Sequence, residues 1–182
     1  LPGLTGMQSF TRTALSSAFG LLLLSGWGCS RDDRAPTLFE LLPAERTGVD
    51  FRNDLPERPE LNILNYLYFY NGGGVAVGDV DGNGYQDLYF TSNLGSNRLF
   101  LNLGDYHFQD ATERAGVAGI DGWTSGATMA DVNGDGHVDI YVSGVSYRTS
   151  TGGNVLYINR GDGTFQDRTN EFGLEHTGYS TQ

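Results

Sequence analysis

The chain has 182 residues, 38% of them apolar, with 22 acidic residues against 11 basic ones and a formal net charge of −11. This charge excludes a general surface for nucleic acid or for anionic membranes, because both repel an acidic protein. The apolar fraction exceeds that of a disordered chain, so the 27 glycines indicate tight turns in a folded protein.

The first 29 residues have the pattern of an export signal. Met7 is a candidate start, Arg12 supplies positive charge, and Ala14–Leu24 forms an apolar run of 11 residues. That length suits the core of a signal peptide and is shorter than the roughly 20 residues of a membrane span. The sequence therefore predicts a signal peptide over residues 1–29 and a linker over residues 30–37.

The single cysteine of the chain, Cys29, ends this segment and permits two interpretations. A lone cysteine after an apolar run resembles a bacterial lipobox, and Ser30–Asp33 resembles the surface-export signal of Bacteroidetes-type lipoproteins, although Gly26 and Trp27 depart from the usual lipobox. The alternative is an ordinary cleaved signal peptide with a chance cysteine. Both interpretations predict export, either as a bacterial outer-membrane or cell-surface lipoprotein or as a secreted protein.

Residues 38–71 precede the first repeated unit. We predict that they form a lead-in segment or the outer strand of a closing unit. The aromatic run Tyr66–Tyr70 within them is predicted to pack inside the fold rather than to form a ligand platform.

The first repeated unit covers residues 72–123. Its short runs of Val, Tyr, Phe and Leu are bounded by Gly, Asn and Asp, which is typical of strands and turns. We predict strands over residues 74–78, 87–92, 98–102 and 107–110. The loop between the first two strands has oxygen-bearing side chains at its positions 1, 3, 5 and 9, which are Asp79, Asp81, Asn83 and Asp87.

The second unit covers residues 124–177 and repeats this loop 52 positions later as Asp131, Asn133, Asp135 and Asp139. Glycine occupies positions 4 and 6 of both loops. We predict strands over residues 126–130, 139–144, 155–159 and 164–167, and the start of a third, truncated repeat over residues 178–182. Four strands at a period of some 50 residues predict an all-β fold built from propeller blades.

The residues also resemble a known family. The run Asn71–Tyr89 resembles the FG-GAP (VCBS-type) repeat of integrin-α-like β-propellers. Leu99–Asp105 and Phe108–Val117 resemble the bacterial relatives of cartilage acidic protein, which often end in an ASPIC/UnbV domain. The resemblance covers residues 38–182 and implies an extracellular, calcium-binding, seven-bladed propeller used in adhesion or ligand binding, of which about two complete blades are expected here.

Both loops are candidate metal sites. Oxygen ligands on alternate positions of a glycine-kinked loop can surround one hard cation, with the backbone carbonyl of position 7, Tyr85 or His137, as a further ligand. Ligation by oxygen alone favours calcium over zinc or copper, so we predict about one Ca²⁺ per complete blade. An EF-hand is excluded because position 12 is Phe90 or Val142 within a strand, where that motif needs a glutamate. The alternative is that the loops are ordinary acidic turns.

The second unit carries five extra residues between Ser143 and Asn154. We predict that this insertion lies on the face away from the metal loops, where Tyr147 and Arg148 are candidate contacts for a partner. Loops on a rigid scaffold often carry recognition. A neutral variation in loop length is the alternative.

Together these patterns predict a calcium-stabilised extracellular binding or adhesion module without catalytic activity. Its partner would be an unknown extracellular protein or glycan, with no nucleic acid, and membrane contact only through a lipid anchor. No G-x-S-x-G or H-E-x-x-H motif is present. The alternatives are a propeller-scaffold enzyme or a glycan-handling surface protein whose active residues lie in other blades. Exposed aromatic residues on the non-metal face would favour the glycan-handling alternative.

Overall fold

The computed structural model of the protein describes residues 38–119, 122–146 and 152–180. Leu41–Gln182 form one compact unit, and Leu1–Glu40 form another. The strands found among the described residues belong to the larger unit. The predicted signal peptide and Cys29, the linker, and Tyr147 and Arg148 of the insertion lie outside the described residues.

The first repeat folds into a four-stranded antiparallel sheet whose strands are neighbours in chain order. These are β1 Val75–Gly78, β2 Asp87–Phe90, β3 Arg98–Asn102 and β4 Phe108–Asp110. The register aligns Ala76 with Tyr89 and Tyr89 with Leu99. Because side chains alternate between the two faces of a strand, these residues share one buried face, as the two-residue alternation of the sequence predicts.

The second repeat forms the same sheet, with strands in chain order. These are β5 Trp123–Ala130, β6 Asp139–Val145, β7 Val155–Asn159 and β8 Phe165–Asp167. β5 begins three residues before its predicted start at 126, because Trp123 and Thr124 also pair with β6. The register shifts between Thr124 and Gly126, so Ser125 is the extra residue of a β-bulge.

The two sheets pack face to face around one apolar core. Tyr89, Leu99 and Leu101 of the first sheet meet Ile140 and Val142 of the second, and all five are buried. Such stacking of four-stranded antiparallel sheets agrees with a partial all-β propeller, as predicted.

The first strands of the two sheets approach each other where one glycine of each repeat meets the other. A Cβ placed on Gly74 would lie 2.6 Å from the Cα of Gly126, which is too close for any side chain. β1 and β5 therefore run backbone against backbone at this point, and the repeated glycine is explained by close approach.

Helix is limited, among the described residues, to single turns: α1 Ala44–Thr47 and α2 Thr112–Ala115. Neither approaches the length and apolarity that crossing a membrane requires. α2 follows β4 and ends at Gly116, which takes the left-handed conformation. A single turn is too short to produce the repeating apolar spacing by which a sequence reveals a helix.

The segment before the first sheet packs against it without adding a named strand. Phe51 stacks on Phe90 with ring centroids 4.9 Å apart, and Asp50 pairs with Arg98 at 3.3 Å. The described part of residues 38–71 contains α1 and an isolated bridge between Arg58 and Leu61.

The aromatic run has both buried and exposed members. Tyr66 and Phe69 are buried in a second apolar cluster with Trp123 and Val145. The predicted packing role holds for these two, whereas Tyr68 is 53% exposed.

Candidate metal centre

The first acidic loop is closed at its neck by the β1–β2 hairpin. Gly78 pairs with Asp87 at the last rung of the ladder, so loop positions 1 and 9 leave the sheet side by side. This register brings together the two ends of a nine-residue segment whose acidic residues are otherwise spread along the chain.

Three carboxylates converge in this loop. Asp79, Asp81 and Asp87 each offer one oxygen, and these oxygens lie within 4.8 Å of one another. Asp81 is exposed, Asp79 is half-buried and Asp87 is fully buried. Among the described residues, this is the one group of three histidine, cysteine or acidic side chains that comes so close together.

Asp87 ties the loop to the rest of its sheet. One of its oxygens accepts a hydrogen bond from the Val80 backbone N–H at 2.8 Å, and the other accepts one from the Asn102 N–H at 2.7 Å. Burial, together with the nearby charges of Asp81 and Asp79, raises the pKa of Asp87 above its ordinary value, against the lowering effect of the two hydrogen bonds. Burial is the largest cause of the raised pKa, and the negative charges of Asp81 and Asp79 add to it; a bound cation would relieve this repulsion.

The loop backbone is folded around the carboxylate of position 1. Asp79 accepts hydrogen bonds from the N–H groups of Asn83 at 3.1 Å and Gly84 at 2.8 Å. Gly82 and Gly84 have φ angles of +72° and +88°, a region that L-residues other than glycine rarely adopt. The two glycines of the motif are therefore required by the turn itself.

The loop of the second repeat folds around its position 1 in the same way. Asp131 accepts hydrogen bonds from the N–H groups of Asp135 at 3.2 Å and Gly136 at 2.9 Å, as Asp79 does from positions 5 and 6, and a further one from the Gly134 N–H at 2.7 Å. These bonds, above all the one from Gly136, lower the pKa of Asp131. Asp139 accepts hydrogen bonds from the N–H groups of Val132 at 3.0 Å and Asn159 at 2.8 Å, as Asp87 does in the first loop.

The two loops differ at position 3, which is Asp81 in the first and Asn133 in the second. Position 5 makes the opposite exchange, from Asn83 to Asp135, so each loop has three aspartates in a different arrangement. The Asn133 amide donates to the Asp135 carboxylate at 2.8 Å. The predicted donors Asp131, Asp135 and Asp139 do not form a three-carboxylate group within 4.8 Å in the described structure.

The first loop fits a hard divalent cation by the chemistry of its donors. Its converging atoms are carboxylate oxygens without nitrogen or sulfur, the set that calcium prefers. Asp79, Asp81 and Asp87 would hold the ion, which when bound would neutralise their charge. Asn83 turns its Oδ1 toward the Tyr85 N–H at 2.8 Å and its amide toward Asp81 at 3.1 Å.

Comparison with known proteins agrees with this geometry. Residues 79–142, which begin at the first loop and include the whole of the second, match the family model described as FG-GAP-like repeat. The chain carries FG-GAP-like repeats. Its resemblance to this family in sequence is thereby confirmed.

Three similar curated proteins are all cartilage acidic protein 1. The human protein is 42% identical over 72 residues, and the Xenopus tropicalis protein is 39% identical over the same length. The mouse protein is 38% identical over 69 residues. The matches cover 38–39% of this chain and 11% of each relative, so the chain spans a small part of the length of these proteins.

The side chain at position 7 of each loop covers the neighbouring turn of its own repeat. A Cβ on Gly104 would lie 3.3 Å from the Tyr85 ring, and a Cβ on Gly161 would lie 2.6 Å from the His137 ring. Tyr85 and His137 therefore lie over the β3–β4 and β7–β8 turns. The metal loop and the neighbouring turn of each blade share one face, as the strand order predicts. The position-7 carbonyl as a metal ligand stays a prediction.

The third strand of each repeat ends at an asparagine, Asn102 or Asn159, that was not predicted as a site residue. Asn102 donates to the Gln86 carbonyl at 2.9 Å and accepts from the Gly104 N–H at 2.9 Å. Asn159 donates to the Val138 carbonyl at 3.0 Å and accepts from the Gly161 N–H at 2.9 Å. Each asparagine thus joins the metal loop to the β3–β4 or β7–β8 turn, and its recurrence in the two repeats was the available signal.

Asn159 also links the two blades. Its amide donates a second hydrogen bond to the carbonyl of Val80, 2.8 Å away in the first metal loop. Asn159 is 2% exposed, so this bond is sheltered from water. The first loop is held by its own sheet through Asp87 and by the next sheet through Asn159.

Proposed function

We propose that this chain belongs to a calcium-stabilised extracellular binding module without catalytic activity, exported and anchored through a lipid on Cys29. The observation that carries the calcium role is the convergence of Asp79, Asp81 and Asp87 within 4.8 Å. The FG-GAP-like repeats and the similarity to cartilage acidic protein 1 support an extracellular module of the adhesion type. The ion is structural, since no flanking helix of the loop is available to be reoriented by it.

The expected stabilisation is modest. Extracellular calcium modules commonly bind at ~10⁻⁴–10⁻³ M. At roughly millimolar calcium and an affinity of ~10⁻⁴ M, one site stabilises the folded state by about 1.4 kcal/mol. The first loop carries more converging negative charge than the second, so we assign it the tighter site.

The test is thermal unfolding of the full-length protein with and without calcium. The wild-type midpoint should rise on addition of calcium, and it should rise less in Asp79→Ala and in Asp131→Ala, with the larger loss in Asp79→Ala. Asp162→Ala is the matched control, because Asp162 lies in the β7–β8 turn and bonds to Thr164. A midpoint that does not respond to calcium would leave the loops as ordinary acidic turns and overturn the proposal.

Anchoring has its own test. Metabolic labelling with a fatty-acid analogue in the native bacterial host should modify the wild-type protein and leave Cys29→Ala unlabelled. Export without labelling would restore the alternative of a cleaved signal peptide.

A further inference from the structure

A pocket lined by aromatic side chains opens at the end of the sheets opposite the metal loops. It has a volume of about 700 Å³, and its walls include Tyr66, Tyr68, Asn71, Trp123, Ser125 and Tyr179. We call it the aromatic pocket.

The aromatic pocket is remote from the metal centre. Trp123 is the first residue of β5 and Val145 is the last of β6, whereas the second metal loop joins the other ends of these strands. The length of β5 separates the two features by roughly 20 Å at ~3.3 Å per residue. The pocket therefore lies on the non-metal face, where Tyr147 and Arg148 were predicted to meet a partner.

The pocket has a rigid apolar floor. Tyr66 and Trp123 are buried and meet edge to face, with ring centroids 5.1 Å apart, and Phe69 packs beside Trp123 at 5.8 Å. Because these rings are held by one another, the floor keeps its shape without a ligand.

The rim combines open aromatic surface with polar groups. Tyr68 and Tyr179 are 53% and 55% exposed. The β-bulge places Ser125 in the pocket wall, where its hydroxyl bonds to the Ser180 carbonyl at 2.8 Å and keeps a free lone pair. The side-chain amide of Asn71 is exposed and makes no hydrogen bond to any residue in the described ranges.

The lining excludes several classes of ligand. Although the chain carries a net charge of −11, none of the described residues that line the pocket is Asp, Glu, Lys, Arg or His. A metal ion would need carboxylates, and an anionic ligand would need a cation to pair with it. A lipid tail would leave the Asn71 amide without a hydrogen-bond partner.

We infer that the aromatic pocket binds a neutral sugar, as part of a neutral oligosaccharide. A pyranose ring has apolar faces that pack on exposed rings such as that of Tyr68, and its hydroxyl groups satisfy an amide and a hydroxyl such as those of Asn71 and Ser125. The volume is within the range of small-molecule sites. This inference rests on the proposed binding function and names its partner class.

The experiment is a screen of the full-length protein against an array of neutral and sialylated or sulfated glycans, followed by calorimetric titration with the best neutral glycan. Binding of neutral glycans is expected, with acidic ones weaker. Tyr68→Ala should weaken binding at least tenfold, because it removes the open stacking surface. Asn71→Asp should weaken it about tenfold by replacing a donor with a carboxylate.

Tyr106→Ala is the matched control, because Tyr106 is 65% exposed and lies in the β3–β4 turn at the metal end of the sheet. It should bind as the wild type does. Circular dichroism should show that all three variants fold.

Two results would overturn the inference. One is the absence of binding to every neutral glycan of the array. The other is a fall in the unfolding midpoint of Tyr68→Ala without change in glycan binding, which would show that another segment of the same protein fills the pocket. Neither result bears on calcium, because the calcium proposal is judged by the response of the unfolding midpoint to the ion.

Discussion

The bond between the two blades predicts an unequal effect of two equivalent substitutions. Asn159→Ala removes a buried hydrogen bond to the Val80 carbonyl and two part-buried ones, to the Val138 carbonyl and from the Gly161 N–H. At about 1 kcal/mol net for each hydrogen bond, the free energy of unfolding should fall by about 3 kcal/mol. Such a loss is a large fraction of the stability of a typical domain.

Asn102→Ala is the matched comparison in the first repeat. Asn102 has the two bonds within its own blade, to the Gln86 carbonyl and the Gly104 N–H, and it is partly exposed to water. Among the described residues, the Asn102 amide donates to the Gln86 carbonyl and to no carbonyl of another blade. We expect a loss of about 1.5 kcal/mol, so the difference between the two variants estimates the bond between blades.

Urea unfolding followed by circular dichroism, in calcium and in chelator, measures both losses. The gap between the variants should persist in chelator, because the bond joins protein groups and needs no ion. Equal losses for Asn102→Ala and Asn159→Ala would refute the reasoning that Asn159 couples the blades.

Three other predictions follow from the described contacts. Asp81→Asn, which places at position 3 the residue type of Asn133, should weaken calcium binding about tenfold. In chelator the variant should be as stable as the wild type or slightly more stable, because repulsion between carboxylates is relieved. Calorimetric titration and unfolding midpoints measure the two effects, and equal destabilisation with and without calcium would contradict the prediction. Gly74→Ala should lower the free energy of unfolding by about 3 kcal/mol, because its Cβ would lie 2.6 Å from the Gly126 backbone. Gly72→Ala has open space around its Cβ and should lower it by about 1 kcal/mol, because of the positive φ alone. Burial tends to raise the pKa of Asp110, but hydrogen bonds from Thr112 and the charge of Arg98 outweigh it and lower the pKa. The ionised carboxylate should therefore stabilise the fold fully above about pH 4, and this stabilisation should be lost as the pH falls through the lower folded pKa. In chelator, Asp110→Asn should reduce the pH dependence of the unfolding midpoint between about pH 5 and pH 2.5.

The strands could be predicted because they follow the two-residue alternation and the repeat. The start of β5 at Trp123 could not, because a bulge at Ser125 breaks the alternation and the pairing partner Val145 lies more than 20 residues away. α2 escaped prediction because one turn of helix has no period to detect.

The loops were found from their spacing, which is a local property. The structure brings Asp79, Asp81 and Asp87 of the first loop together, and metal binding by them stays a prediction. The roles of Asn102 and Asn159 depend on which turns the folded sheets bring beside each loop, and sequence shows only that both asparagines recur. The aromatic pocket is assembled from four separate segments of the chain, so no sequence spacing predicts it.

The bond from Asn159 to Val80 also has a temporal consequence for a chain made from its N-terminus. The two residues are 79 positions apart, and β7 is the sixth strand-length segment to emerge after β1. The β1–β2 hairpin that carries the first loop can form early. The Val80 carbonyl, however, stays exposed to water until β7 has left the ribosome or the export channel. The first blade is therefore completed by the second, and the order of these two steps runs in the direction of synthesis.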